Sequence, residues 1–157
     1  MVKLPKDVVE VFHDPEVIKT LCTVNEEGIP HSVYKWSFDA LDNETLAFME
    51  LLETSHTYKN MLKHHWANKM VSVDVISTER NIFYQIKGEP FRFVREGPIW
   101  DQFLKRVWAK TPDADPAGVW VIRVKEVINQ NYEIRRAQEE ERVINQRTWR
   151  RIVGARP

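Results

Sequence analysis

The segment best equipped for chemistry is Thr54-Ser55-His56-Thr57-Tyr58-Lys59-Asn60. The three aliphatic hydroxyls of Thr54, Ser55 and Thr57 and an imidazole stand at the start of a helix whose face reads Tyr58, Met61, Leu62 and His65 at i, i+3, i+4 and i+7. At such a start, unpaired backbone N–H groups and the positive end of the helix dipole converge. Thr54 or Ser55 supplies the N-cap, and Lys59 adds a cation one turn in. These are the parts of a phosphate site. They are equally the parts of an ordinary cap followed by a solvated polar turn, and at this level both readings stand.

A second concentration is aromatic, with six Trp in 157 residues, which favours a ligand platform or a subunit interface. Trp100, Leu104 and Trp108 form one stripe beside Ile99, Phe103 and Val107. One of the two Trp fits a core; burying both requires a helix covered nearly all round, as at a dimer interface. Other signatures are missing from the sequence: no GxGxxG, no GxxxxGK[ST], no GxSxG, no HExxH and no paired CxxC. His56, His64 and His65 have no cysteine or acid at metal spacing, and neighbours on a helix point about 100° apart, so no metal site is expected. The lone Cys22, within Leu21-Cys22-Thr23-Val24, reads as a buried small hydrophobe.

The elements that must position these residues follow from periodicity and turn chemistry. Val8, Val9, Val11 and Phe12 suggest a short opening helix, ended by His13-Asp14-Pro15. Leu21 to Val24 and His31 to Phe38 read as a hairpin about Asn25-Glu26-Glu27-Gly28. Asp39 to Glu44 is a second turn, and Thr45 to Leu52 a strand so continuously apolar that both faces should be buried. After the helix at 58–65, Val71 to Val75 alternates strictly, and Ile82 to Val94 is a strand bent at Gly88-Glu89-Pro90. Gly97-Pro98 starts a helix, Val119 to Val127 is a last strand, and the segment from Glu133 is helical with Arg135–Glu139 and Arg136–Glu140 pairs. Hairpins and a bent strand without a βαβ rhythm predict a mainly β chain with helices packed on a small closed antiparallel barrel.

Length and composition set the class. One domain is expected from 157 residues, and 43% apolar content excludes a disordered chain. Lys plus Arg and Asp plus Glu both number 23, which argues against binding nucleic acid or membrane by bulk charge. The balance is uneven: residues 132–157 carry +3 and the preceding body −3. No run is long enough to span a bilayer and no signal peptide is evident, so a cytoplasmic protein is expected.

Taken in order, LPKDVVEVF, LCTVNEEGIPHSVYKW, SHTYKNML, VSVDV, YQIKGEPFRF and EGPIWDQF resemble the pyridoxamine 5′-phosphate oxidase-like, FMN-binding split-barrel family, especially its small FMN-binding proteins. The resemblance runs from Leu4 to about Val127 and implies a split antiparallel β-barrel that forms a homodimer with FMN at the subunit interface. It implies an FMN-binding domain over residues 1–130, with 131–157 as a charged helix or tail packed on the barrel or the dimer partner. It places the FMN phosphate at the helix start matching Ser55 to Asn60, with Thr57 and Asn60 on motif positions and Ser55 and His56 beside them. Lys59 is not a motif position, and its part rests on charge. Tyr34, Lys35 and Trp36 would run along the flavin ring or ribityl chain, and Met49, Glu50 and Leu51 would lie under the ring. Gln85 is a candidate for a ring-edge hydrogen bond, and Trp108 for an aromatic reaching the partner's flavin.

Two features depart from the family pattern. Thr148-Trp149-Arg150-Arg151-Ile152 matches only loosely the arginine-rich end by which the oxidase grips its substrate, so vitamin B6 oxidation is not implied. Glu50 stands where small FMN-binding proteins are often neutral. Facing the ring it would disfavour an anionic reduced flavin; as a charged strand residue it is expected to point outward. The implied function is an FMN flavoprotein, an oxidoreductase moving hydride or electrons between the flavin and NAD(P)H or a redox partner protein. The alternative is a binding module without enzymatic activity: an FMN carrier, an electron-transfer protein, or a split barrel for haem or a deazaflavin.

Overall fold

The computed structural model describes residues 2–142 and 152–154. Seven strands, β1 (Ile18–Val24), β2 (Pro30–Tyr34), β3 (Asp39–Ala40), β4 (Thr45–Glu50), β5 (Val71–Ser77), β6 (Ile82–Val94) and β7 (Gly118–Asn129), form one sheet of order β2-β1-β5-β6-β7-β4-β3. Every pairing is antiparallel. The helices are α1 (Lys6–Phe12), α2 (His56–Trp66), α3 (Pro98–Lys110) and α4 (Tyr132–Arg142).

The sheet curls without closing by strand pairing. Its two edge strands, β2 and β3, are joined by the four residues Lys35 to Phe38, so the edges lie no farther apart than that short chain can reach. This is a split barrel rather than the closed one that the hairpin pattern alone predicts. Buried Lys19 ties the seam: its ammonium donates to the carbonyls of Phe12 (2.7 Å), Asp14 (2.7 Å) and Phe38 (3.4 Å). Burial lowers its pKa to about 8, against the opposing pull of Asp39 and Asp14.

Strand β6 bends as its Gly and Pro require. Its register against β7 shifts between Lys87 and Gly88 and again between Pro90 and Arg92. Gly88 is dictated by close approach, because a Cβ there would lie 2.3 Å from Ile122 Cγ2. Inside the curl, Val8, Phe12, Leu21, Phe38, Phe48, Ile86 and Trp120 form the main core. A second cluster sits on the other side of β4, where Ala47, Met49, Val119 and Val121 meet Phe103 and Val107 of α3. β4 is therefore buried on both faces, as its continuous apolar run implies.

Several boundaries differ from the sequence reading. β4 stops at Glu50, opposite the first residue of β7, and Leu51 and Leu52 are exposed loop. The turn at 39–44 begins with the two-residue strand β3. Cys22 is only half-buried, because β1 turns Lys19, Leu21 and Thr23 inward and alternation puts Cys22 on the opposite face. On α3, Trp100 is half-buried and Trp108 exposed. α4 buries no residue and carries the expected Arg136–Glu140 pair at 3.2 Å. Thr148 to Arg151 lie outside the described residues. Among the described residues no helix is long and apolar enough to cross a membrane.

Candidate functional site

The curl leaves a groove of about 460 Å³ beside β2. Its walls come from β2 and the chain beyond it (His31, Val33, Tyr34 and Lys35 to Ser37), the end of β4 (Met49, Glu50), Leu51 and Leu52, and the start of α2 (Ser55, His56, Thr57).

The polar end is built on the α2 N-terminus. Ser55 is the N-cap, in extended conformation, and its Oγ accepts from the Tyr58 N–H at 2.9 Å. Thr57 is buried, with Oγ1 3.3 Å from His31 Nε2. The His31 ring lies 5.7 Å from that of His56. Two imidazoles and two hydroxyls thus gather where the helix offers free N–H groups and positive potential, a donor set suited to an anion.

The buried face of α2 is Thr57, Asn60, Met61 and His64, one position removed from the Tyr58, Met61, Leu62 and His65 face that hydropathy selects. Each polar member has a partner on the β1–β2 hairpin, which is what makes its burial tolerable. Asn60 Nδ2 donates to buried Thr23 Oγ1 at 3.0 Å. His64 Nε2 lies 3.1 Å from both the N–H and the carbonyl oxygen of Val24, and burial lowers its pKa below the usual imidazole value. His65 turns elsewhere, to the Pro90 carbonyl at 2.8 Å. Asn60 therefore anchors the helix to β1, and Lys59 is exposed; neither lines the groove.

Lys35 and Glu50 form the other polar feature of the groove. Lys35 Nζ lies 3.3 and 3.2 Å from the two Glu50 oxygens, with the side chains 14% and 3% exposed. Glu50 thus points inward, contrary to the expectation for a charged strand residue: with both faces of β4 covered, no solvent-facing side is available. Ser37 Oγ fixes the adjoining strand end, accepting from the Met49 N–H at 3.1 Å and lying 3.3 Å from the Met49 carbonyl. Trp36 is half-buried beneath the Lys110 ammonium, 4.4 Å from its ring centroid. Tyr34 and Leu51 are partly exposed at the rim.

Two candidates fall elsewhere in this chain. Gln85 on β6 donates to Asp74 Oδ1 across the β5–β6 pairing at 3.2 Å. Trp108 is 48% exposed on α3, its indole N–H bonded to the Ala114 carbonyl at 3.0 Å. Conversely, the sequence reading did not select His31, Val33, Ser37 or Leu52. Alternation along β2 puts His31 and Val33 on the half-buried face, a signal present in the sequence; that this face meets the start of α2 is not.

A curled antiparallel sheet of this order, with helices packed on it, defines a split-barrel protein. The pyridoxamine 5′-phosphate oxidase family model matches residues 4–131, and the chain belongs to that family. No curated protein sequence matches it. Among solved structures, HupZ of Group A Streptococcus is similar with a TM-score of 0.67 and 18% identity, covering 82% of this chain and 95% of that one. An FMN-binding protein from Syntrophomonas wolfei subsp. wolfei gives 0.65 and 14%, covering 80% and 87%. An F420 reductase gives 0.62 and 21%, covering 81% and 100%.

Proposed function

We propose that the chain is an FMN-binding flavoprotein, an oxidoreductase whose flavin exchanges hydride or electrons with NAD(P)H or a redox partner. One observation carries this reading: a single groove joins an anion-binding helix start to a partly apolar surface at a suitable distance. His31 and Lys35 lie four residues apart along β2 and its continuation, about 13 Å, a span that takes a phosphorylated five-carbon chain followed by the near edge of a ring system. His31, Ser55, His56 and Thr57 would hold the phosphate. Tyr34, Lys35, Trp36, Met49, Glu50 and Leu51 would flank the ring. The flavin brings the redox chemistry, so the protein's work is binding, orientation and control of the local field.

In this reading the binding unit is residues 1–130, and the charged segment from residue 131 packs on the barrel or on a second copy. Homodimerisation is part of the proposal. Tyr34, Leu51 and Leu52 leave apolar surface open at the groove, and exposed Trp108 offers an aromatic to a partner subunit. The test is purification followed by absorbance and mass measurement of any bound cofactor, then titration of stripped protein with FMN and riboflavin. FMN binding well above riboflavin binding is expected, and no preference for the phosphate would refute the site. Bleaching by NAD(P)H would support an oxidoreductase over a carrier.

A further inference from the structure

We infer that the Lys35–Glu50 pair sets the redox potential of the bound flavin by presenting a cation that an equally close carboxylate neutralises. The inference rests on the FMN reading above. Glu50 ends β4 and Lys35 belongs to the short chain joining the two sheet edges, which runs on beside β4 through Ser37 and Met49, so the two charges meet where the edges of the sheet approach. Both Glu50 oxygens lie within 3.3 Å of Lys35 Nζ, and Oε1 also accepts the Leu52 N–H at 3.4 Å. The Lys35 ammonium additionally sits 5.0 Å from the Phe48 ring centroid.

A buried ion pair is a poor way to gain stability, because desolvating two charges costs about as much as their attraction returns. Apolar side chains beside Phe48 would serve stability at least as well. What the pair contributes is a local field along the groove wall. Reduction by two electrons can leave the flavin anionic, and that charge responds to any nearby full charge in a poorly solvated site. With Lys35 and Glu50 both ionised, their effects largely cancel. Removing either charge exposes the other.

The prediction is therefore two shifts of opposite sign and one near-return. In Glu50→Gln the unmasked ammonium favours reduced over oxidised FMN by about tenfold, a rise of about 30 mV for a two-electron couple. In Lys35→Met the bare carboxylate lowers the potential by a similar amount. The double variant, with neither charge, returns close to the parent value. Midpoint potentials are measured by dye equilibration with FMN added to saturation, so weakened affinity does not obscure the result. Circular dichroism confirms folding.

A merely structural role would not give opposite signs with recovery in the double variant. Should Lys35→Met fail to fold around its unpaired carboxylate, Glu50→Gln and the double variant decide: a rise in the first and recovery in the second sustain the proposal. Unmoved potentials, shifts of the same sign, or loss of fold in both of these variants would overturn it. If the parent protein binds no FMN, the flavin reading itself fails and this inference falls with it. Binding with unmoved potentials removes this inference alone.

Discussion

Replacing Asn60 and Thr57 separately distinguishes a residue that holds the helix from one that faces the groove, although they are three positions apart on the same buried face. Asn60→Ala removes a 3.0 Å bond inside the α2–β1 contact and deprives Thr23, only 1% exposed, of its donor. The lost bond and the stranded hydroxyl together cost about 2 kcal/mol. For a domain of this length that is a fall in Tm of about 4–8 °C. FMN affinity should stay within about twofold, since Asn60 does not line the groove. Thr57→Val keeps the branched shape but removes the hydroxyl 3.3 Å from His31 Nε2. Stability should change by less than about 1 kcal/mol, whereas a lost hydrogen bond to a charged phosphate weakens FMN binding about tenfold. Riboflavin, which lacks the phosphate, should bind Thr57→Val as it binds the parent. Thermal unfolding of the stripped proteins and flavin fluorescence titrations give all five values. The reasoning is refuted if Asn60→Ala weakens FMN binding at unchanged Tm, or if Thr57→Val weakens FMN and riboflavin equally.

Other expectations concern the frame. Lys19 has its folded pKa lowered to about 8, so the unfolded chain binds the extra proton between pH 8 and 10.5, and Lys19 makes stability rise with pH across that window. Urea titrations at pH 7.5 and 9.5 should show this contribution disappearing in Lys19→Met; an identical pH difference in both proteins would count against it. His64 also has a lowered folded pKa, so stability falls as pH drops below about 6.5 and the unfolded imidazole takes up a proton. His64→Gln should flatten that acid limb in thermal scans between pH 5 and 7. Gly88→Ala drives a methyl to 2.3 Å from Ile122 Cγ2 and 3.1 Å from the Arg123 carbonyl oxygen, and should cost about 1–3 kcal/mol by denaturant unfolding. A neutral result there would mean that the β6–β7 crossing is looser than its geometry implies.

Much of the frame was legible in the sequence because it is encoded locally. Strict alternation marks β5, the apolar run marks the doubly covered β4, and Gly88 with Pro90 marks the bend in β6. Ser55 is identifiable as a cap from its place before the helical pattern. Of the candidate segments, the strand at 34–36, the strand end at 49–51 and the helix start at 55–57 line one groove. Lys59, Asn60, Gln85 and Trp108 stand outside it within this chain.

The remainder depends on what each element meets, and a linear pattern does not specify that. Hydropathy places the inner face of α2 at Tyr58 and His65, but the helix turns Thr57, Asn60 and His64 inward because the β1–β2 hairpin supplies partners for each. A charge on a strand is expected outward; Glu50 lies inward because α3 and the barrel core cover both faces of β4, and Lys35 arrives from the far edge of the sheet. The sequence by itself determined the elements, the cap, the bend and the family resemblance, all carried by short-range periodicity and turn chemistry. Only the tertiary structure decided which polar residues face the groove and which are anchors, because that choice depends on register and curl between segments tens of residues apart.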